Sequence, residues 1–230
     1  MIRHIFLDLD NTLLDFKQGE FVALKNTFSQ LNIPINDQIS KRYLEINLSC
    51  WRALERGEIT RDQVVYGRFE KLFSEFKIDA SPIVAQDLYQ ELLGREHDFM
   101  PNAKEVLDAL YDSGKYKLYI ATNGIPVVQY PRIKDSDIGK YFEKIFISYE
   151  LGYPKPKKEF FDACFAKIEG FEPGEAIIVG DSLTSDIQGG INAGIHTCHY
   201  NVWGDSYESI RPEFEIKNLT ELIDLLEGIE

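Results

Sequence analysis

Asp8 and Asp10 stand one residue apart where an apolar run ends, in the stretch Leu7-Asp8-Leu9-Asp10-Asn11-Thr12-Leu13. If that run is a strand, its side chains alternate and the two carboxylates point to the same side. Two carboxylates leaving one strand end together repel unless a cation or a proton lies between them. Such a pair suits a hard, oxygen-seeking ion such as Mg2+. A bare Asp-x-Asp also has a plainer reading, as an acidic loop that caps the next helix.

Three further stretches carry polar groups of a related kind. Thr122-Asn123-Gly124 follows the run Ile120-Ala121. A hydroxyl, a side-chain amide and a flexible glycine there can donate hydrogen bonds to phosphate oxygens, although alone they read as a turn. Lys155 lies between Pro154 and Pro156, and two prolines hold such a lysine in a stiff, extended backbone. Its ammonium can neutralise a phosphoryl group or a nucleophilic carboxylate; alone, the segment reads as a surface loop. Asp181 follows the run that ends at Gly180, and Asp186 comes five residues later. Asp186 falls in the first turn of a predicted helix, where an acid also favours the helix start.

These residues need elements to position them. Apolar runs over residues 2–9, 117–121, 144–148 and 176–179 predict buried parallel strands, and a further strand is expected at His196–His199. Helical periodicity over 102–113, 157–168, 185–193 and 219–226 separates the runs. The alternation predicts a doubly wound α/β domain: a Rossmann-like parallel-sheet core with helices on both faces. The segment 16–96 differs. It shows helical patterns at 19–31, 38–55, 61–76 and 82–95, broken near Pro34, at 57–60 and at Ser81-Pro82. The expected organisation is a core of residues 1–15 and 97–230 with an inserted all-helical cap at 16–96, over the carboxyl ends of the strands, where ligands bind in such sheets.

Each polar stretch has a bland explanation by itself, but four of them occur in order, each at the end of a predicted strand. In this pattern the chain resembles the haloacid dehalogenase superfamily, whose four motifs match Asp8-x-Asp10-x-Thr12, Thr122, Lys155 and Gly180-Asp181-x4-Asp186. The resemblance implies a Mg2+-dependent phosphatase with Asp8 as nucleophile, forming an aspartyl-phosphate, and Asp10 as general acid and then base. It implies that Thr122 and Lys155 position the phosphate and the nucleophile, with Asn123 and Gly124 beside them. It further implies that Asp8, the Asp10 backbone carbonyl, Asp181 and Asp186 surround the metal. Asp10 argues against a dehalogenase, because halide leaves without a proton and an alkoxide does not.

The segments 10–16, 51–57 and 189–194, and Thr122-Asn123-Gly124 with Gln129 and Arg132, are similar to a subgroup of bacterial nucleoside 5′-monophosphate phosphatases associated with pyrimidine and non-canonical nucleotides. Pro154 and the helix-interior Pro131 depart from that subgroup's pattern. Phe16, Trp51 and Arg52 are candidates to contact a base, or else bundle core with a solvated arginine. The alternatives are a sugar-phosphate phosphatase, a phosphomutase of the β-phosphoglucomutase type, and a non-catalytic binding protein on the same fold.

Composition narrows the partners. The 230 residues include 25 Lys and Arg against 38 Asp and Glu, a net charge of −13. So acidic a surface disfavours nucleic acid and anionic membranes, but not a small phosphorylated metabolite, such as a nucleoside monophosphate, bound in a locally cationic pocket. No apolar run suits a bilayer, and the early acid at position 8 reads against a signal peptide. Three widely spaced cysteines, Cys50, Cys164 and Cys198, read as reduced thiols of a cytoplasmic protein, a monomer or small homo-oligomer. His196, Cys198 and His199 alternate across a strand and so are not expected to share a zinc ion.

Overall fold

Alternation of side chains along each strand buries the sheet on both faces. In the computed structural model, which describes residues 1–206 and 209–229, six strands pair in parallel. They are β1 (His4–Leu7), β2 (Lys117–Thr122), β3 (Lys144–Ile147), β4 (Ala176–Gly180), β5 (His196–Tyr200) and β6 (Phe214–Ile216), in the order β3-β2-β1-β4-β5-β6. Ile5, Leu7, Leu118, Ile120, Ile177 and Val179 enter one apolar layer with α5 (Ala103–Asp112) and α10 (Glu221–Gly228). Phe6, Tyr119, Ala121 and Ile178 enter the opposite layer with α8 (Lys158–Phe165) and α9 (Gln188–Ala193). The α/β class with a parallel sheet and helices on both faces is as the sequence predicts. β6 is not among the expected strands; three residues are too few to show a pattern.

The sheet belongs to a unit made of Met1–Asp15, His97–Pro126 and Ile133–Glu230. The strand order reverses between β1 and β4, which opens a crevice at their carboxyl ends. Beyond β1 the chain turns back through Asn11, whose φ of 59° lies in the left-handed region that asparagine tolerates. The Asn11 N–H donates to the Leu14 carbonyl at 2.8 Å. Where the chain leaves and re-enters this unit, Asp15 donates to the Asp98 carbonyl and Met100 to that of Leu13, at 2.8 and 2.9 Å.

The other unit is Phe16–Glu96 with Val127–Arg132. Its four main helices are α1 (Phe16–Gln30), α2 (Asp37–Glu55), α3 (Arg61–Phe76) and α4 (Pro82–Leu93). Three of their starts are written in short polar signals. The Asn36 side chain caps α2, Thr60 and Gln63 form a reciprocal capping box on α3, and Ser81 caps α4 with Pro82 in its first turn. The bundle interior is aromatic: Tyr43, Phe69 and Tyr89 pack with ring centroids 5.1 to 5.6 Å apart.

A polar chain also crosses this interior, with one residue from each helix. Asn47 donates to Glu20 at 2.6 Å, and Arg68 donates to Asn47 at 2.8 Å and to Gln86 at 2.9 Å. All four residues are buried, and the Arg68 guanidinium lies 4.8 Å from the Tyr89 ring. Part of α6 (Pro126–Asp135) also joins this unit. Pro131 cannot donate to the Val127 carbonyl, so the helix continues with one bond fewer. Buried beside it, Arg132 donates to the Glu96 carbonyl at 2.7 Å and to Gln129 at 2.9 Å. Among the described residues no helix is long and apolar enough to cross a membrane.

Hydrogen bonds to a charged group contribute about 1.5–3 kcal/mol each. Arg68→Leu removes two of them from a buried site, so it should cost the protein about 3–6 kcal/mol. Urea unfolding of the variant checks this, and a midpoint equal to that of the parent would refute it.

Candidate active site

Groups at the carboxyl ends of the central strands gather around Lys155. Asp8 follows β1, Ala121 is the last residue but one of β2, Lys155 lies on the loop after α7 (Ser148–Leu151), the short helix that follows β3, and Asp181 follows β4. The Lys155 ammonium donates to Asp8 Oδ1 at 2.6 Å, to Asp186 Oδ1 at 2.6 Å and to the Ala121 carbonyl at 2.5 Å. An ammonium has three protons, and here three acceptors receive them. Lys155 and Asp186 are 1% exposed and Asp8 is 6% exposed, so these contacts lie out of bulk water.

Local structure explains how each group arrives. The Asp8 N–H donates to the Val179 carbonyl at 2.9 Å, which continues the β1–β4 pairing by one residue. Asp186 sits in a turn of π-helix, Leu183–Ile187, which opens α9. Its Oδ2 accepts the Ser182 N–H at 3.1 Å, while Oδ1 serves Lys155. Gly180 makes this possible, because a Cβ there would lie 2.2 Å from Asp186 Oδ2. Lys155 itself is held by Asn123: its N–H donates to Asn123 Oδ1 and its carbonyl accepts from Asn123 Nδ2, both at 2.9 Å. The Lys155–Pro156 peptide is cis.

The structure therefore brings together Asp8, Lys155, Asp181 and Asp186. Asp10 is half-buried on the same loop, and its carboxylate is not one of the three that converge. Thr122 is buried, and its hydroxyl accepts the Gly124 N–H at 3.1 Å. The sequence predicts Asn123 as a phosphate donor; its amide is engaged with the backbone of Lys155. Two residues to which the sequence assigns no positioning role tie down Asp181. Thr12 Oγ1 accepts the Asp181 N–H at 3.1 Å, and His199 Nε2 lies 2.9 Å from its carbonyl oxygen. Nothing in sequence spacing announces His199, whose place opposite Gly180 comes from the β4–β5 register.

One ammonium faces three carboxylates. Burial pushes the Asp8 carboxyl up to about 8; Lys155 opposes the rise, and Asp186 and Asp10 add to it. The 2.6 Å contact does not prevail, because burial of the carboxylate outweighs it. Burial, then Asp8 and Asp186, lift Asp181 well above the usual carboxylate range. For Lys155 burial disfavours the charge, and Asp186 and Asp8 outweigh it, holding the pKa above its ordinary value. Asp8, Asp181 and Asp186 each offer an oxygen, and these lie within 4.8 Å of one another. An all-oxygen, charge-deficient donor set fits a hard divalent cation.

In EDTA, the folded chain keeps a proton on Asp8 up to about pH 8 that the unfolded chain releases near 3.8, the ordinary value of such a carboxyl. The folded state then binds more protons, so Asp8 makes stability fall as pH rises from about 4 to 8. Asp8→Asn should flatten that fall and raise the melting temperature at pH 8; a lower one would refute the assignment. Gly180→Ala forces its Cβ into the Asp186 carboxylate and should cost about 1–3 kcal/mol by overcrowding, read as a lower melting temperature; an unchanged value would refute it.

Comparison with known proteins agrees with this geometry. Residues 2–194 match the family model for haloacid dehalogenase-like hydrolases. The chain is 37% identical to the HAD-hydrolase YfnB of Bacillus subtilis, over 97% of this chain and 95% of that protein. A crystal structure of YfnB bound to magnesium has a TM-score of 0.93 to this chain and covers 99% of each. The chain is 34% identical to the pyrimidine 5′-nucleotidase PynA of Streptococcus pneumoniae, over 98% of this chain and 95% of that one. It is 30% identical to the pyrimidine 5′-nucleotidase YjjG of Escherichia coli, over 96% of each. Four strand ends carrying acids, a threonine and a lysine, a matching family model and relatives along nearly the whole length lead to one assignment: the chain belongs to the haloacid dehalogenase-like hydrolase family and is an enzyme of that family.

Proposed function

We propose that this enzyme is a cytoplasmic, Mg2+-dependent phosphatase of phosphate monoesters whose substrates are nucleoside 5′-monophosphates, pyrimidine ones foremost. The observation that carries the reading is Asp8, held at 2.6 Å by Lys155 in a buried cluster with Asp181 and Asp186. The activities of PynA and YjjG support the substrate class.

In this reading a carboxylate oxygen of Asp8 attacks phosphorus in line with the ester oxygen. The P–O bond to the alcohol breaks, and Asp10 gives its proton to the leaving alkoxide. An aspartyl-phosphate results. A water molecule then attacks its phosphorus, Asp10 takes the proton, and the P–O bond to Asp8 breaks to release phosphate. Lys155 holds the nucleophile and offsets charge; Thr122 donates its hydroxyl hydrogen to a phosphate oxygen, with Gly124 beside it, and Asn123 contributes by holding Lys155. Asp8, Asp181, Asp186 and the Asp10 carbonyl would hold Mg2+, which when bound supplies positive charge to the phosphoryl oxygens. Phosphoryl transfer needs mostly positioning and charge neutralisation, and both are what this cluster offers.

Phosphate release from a panel of nucleoside monophosphates and sugar phosphates, with Mg2+ and with EDTA, tests the reading. Release should depend on Mg2+, be strongest on pyrimidine monophosphates and vanish in folded Asp8→Asn. Preference for sugar phosphates would replace the substrate class, and wild-type activity in Asp8→Asn would remove the nucleophile.

A further inference from the structure

We propose that His199, a buried residue on β5, is a positioning residue for the cation-binding carboxylates, acting through the Asp181–Ser182 peptide. The inference rests on the divalent-cation reading above. Its basis is a continuous polar chain. His199 Nε2 lies 2.9 Å from the Asp181 carbonyl oxygen. A carbonyl only accepts, so Nε2 carries the hydrogen and donates it. The same peptide's N–H, on Ser182, donates to Asp186 Oδ2 at 3.1 Å. Asp186 Oδ1 in turn accepts from Lys155, which also holds Asp8.

The peptide on the other side of Asp181 is fixed as well, because its N–H donates to Thr12 Oγ1 at 3.1 Å. With the planes before and after Asp181 both tied, its backbone dihedrals are set. Only side-chain rotation is left to aim the carboxylate at Asp8 and Asp186. His199 is placed for this by register, since it pairs with Gly180 directly across β4 and β5. It is fully buried, whereas His196 on the same strand bonds to Glu213. The effect of His199 runs through the backbone that carries one ligand and orients another.

The test uses the whole protein, stripped with EDTA, and measures Mg2+ binding by isothermal titration calorimetry without substrate, beside thermal unfolding. Removing partners that orient metal ligands typically costs about 10–100-fold in affinity. His199→Phe, which keeps a ring and loses the donor, should weaken Mg2+ binding by about that factor. His199→Gln, whose amide nitrogen can reach the same carbonyl, should stay within about threefold of the parent, below that range. A folded His199→Phe that binds Mg2+ like the parent overturns the inference, as does a His199→Gln equally weakened. Should His199→Phe not fold, a folded His199→Leu, which also removes the donor, takes its place, and Mg2+ binding like the parent's then overturns the inference. If the parent protein itself takes up no divalent cation, the cation reading fails and this inference with it, an outcome distinct from the others.

Discussion

A buried ammonium is the constraint on which the sheet unit depends. Moving such a charge out of water costs several kcal/mol unless partners replace the lost hydration. Lys155 meets this with three acceptors for three protons: Asp8, Asp186 and the Ala121 carbonyl. Those acceptors come from separate strand ends, and Lys155 from a further loop. The ion cannot be satisfied until β1, β2 and β4 are in register, so the sheet and the site form together. Asn123 closes the arrangement by pairing with both backbone polar groups of Lys155, in the manner of a neighbouring strand.

The sheet offers this convergence because its order reverses between β1 and β4. Asp8 extends the β1–β4 pairing, and Gly180 ends β4 beside it. Side-chain volume must be given up for the groups to fit. Gly180 yields room to the Asp186 carboxylate. Gly190 does the same for the approach of α9 to the sheet, since a Cβ there would come within 2.4 Å of Ile178 and 2.6 Å of Thr197. Glycine costs about 1 kcal/mol relative to alanine in a helix interior, so its use at such a position answers to packing rather than to helix propensity.

What was legible in the sequence is what is local. Apolar runs ending in polar residues show the four strand ends and with them Asp8, Thr122, Lys155, Asp181 and Asp186. Caps at Asn36, Thr60 and Ser81 show where helices start, and the helical starts expected at residues 38, 61 and 82 fall within one residue of those observed. What escaped depends on pairing across distance. The Asn123 amide has its partner 32 residues away, and His199 meets Asp181 only through strand register. The three residues of β6 carry too little pattern to be seen. Pro131, which departs from the subgroup's pattern, sits inside α6 as the sequence expects of a helix-interior proline, and the helix continues through it with one hydrogen bond fewer.

Two of the buried polar clusters show how a working site differs from a structural network. In the helical unit, Glu20 and Arg68 contribute one charge of each sign, joined through Asn47, with Gln86 on the other side. Its charges balance within the protein, and such a network serves to specify how four helices pack. Around Lys155 the balance fails: three carboxylates face one ammonium, and the protein's own groups leave Asp8 and Asp181 with raised pKa values. A fold that sought only stability would remove one of these acids, since an uncompensated buried charge is costly. Retaining all three is intelligible if something from outside completes the site. The deficit is one of positive charge, bounded by oxygen donors, which is the chemistry that the proposed Mg2+ would supply.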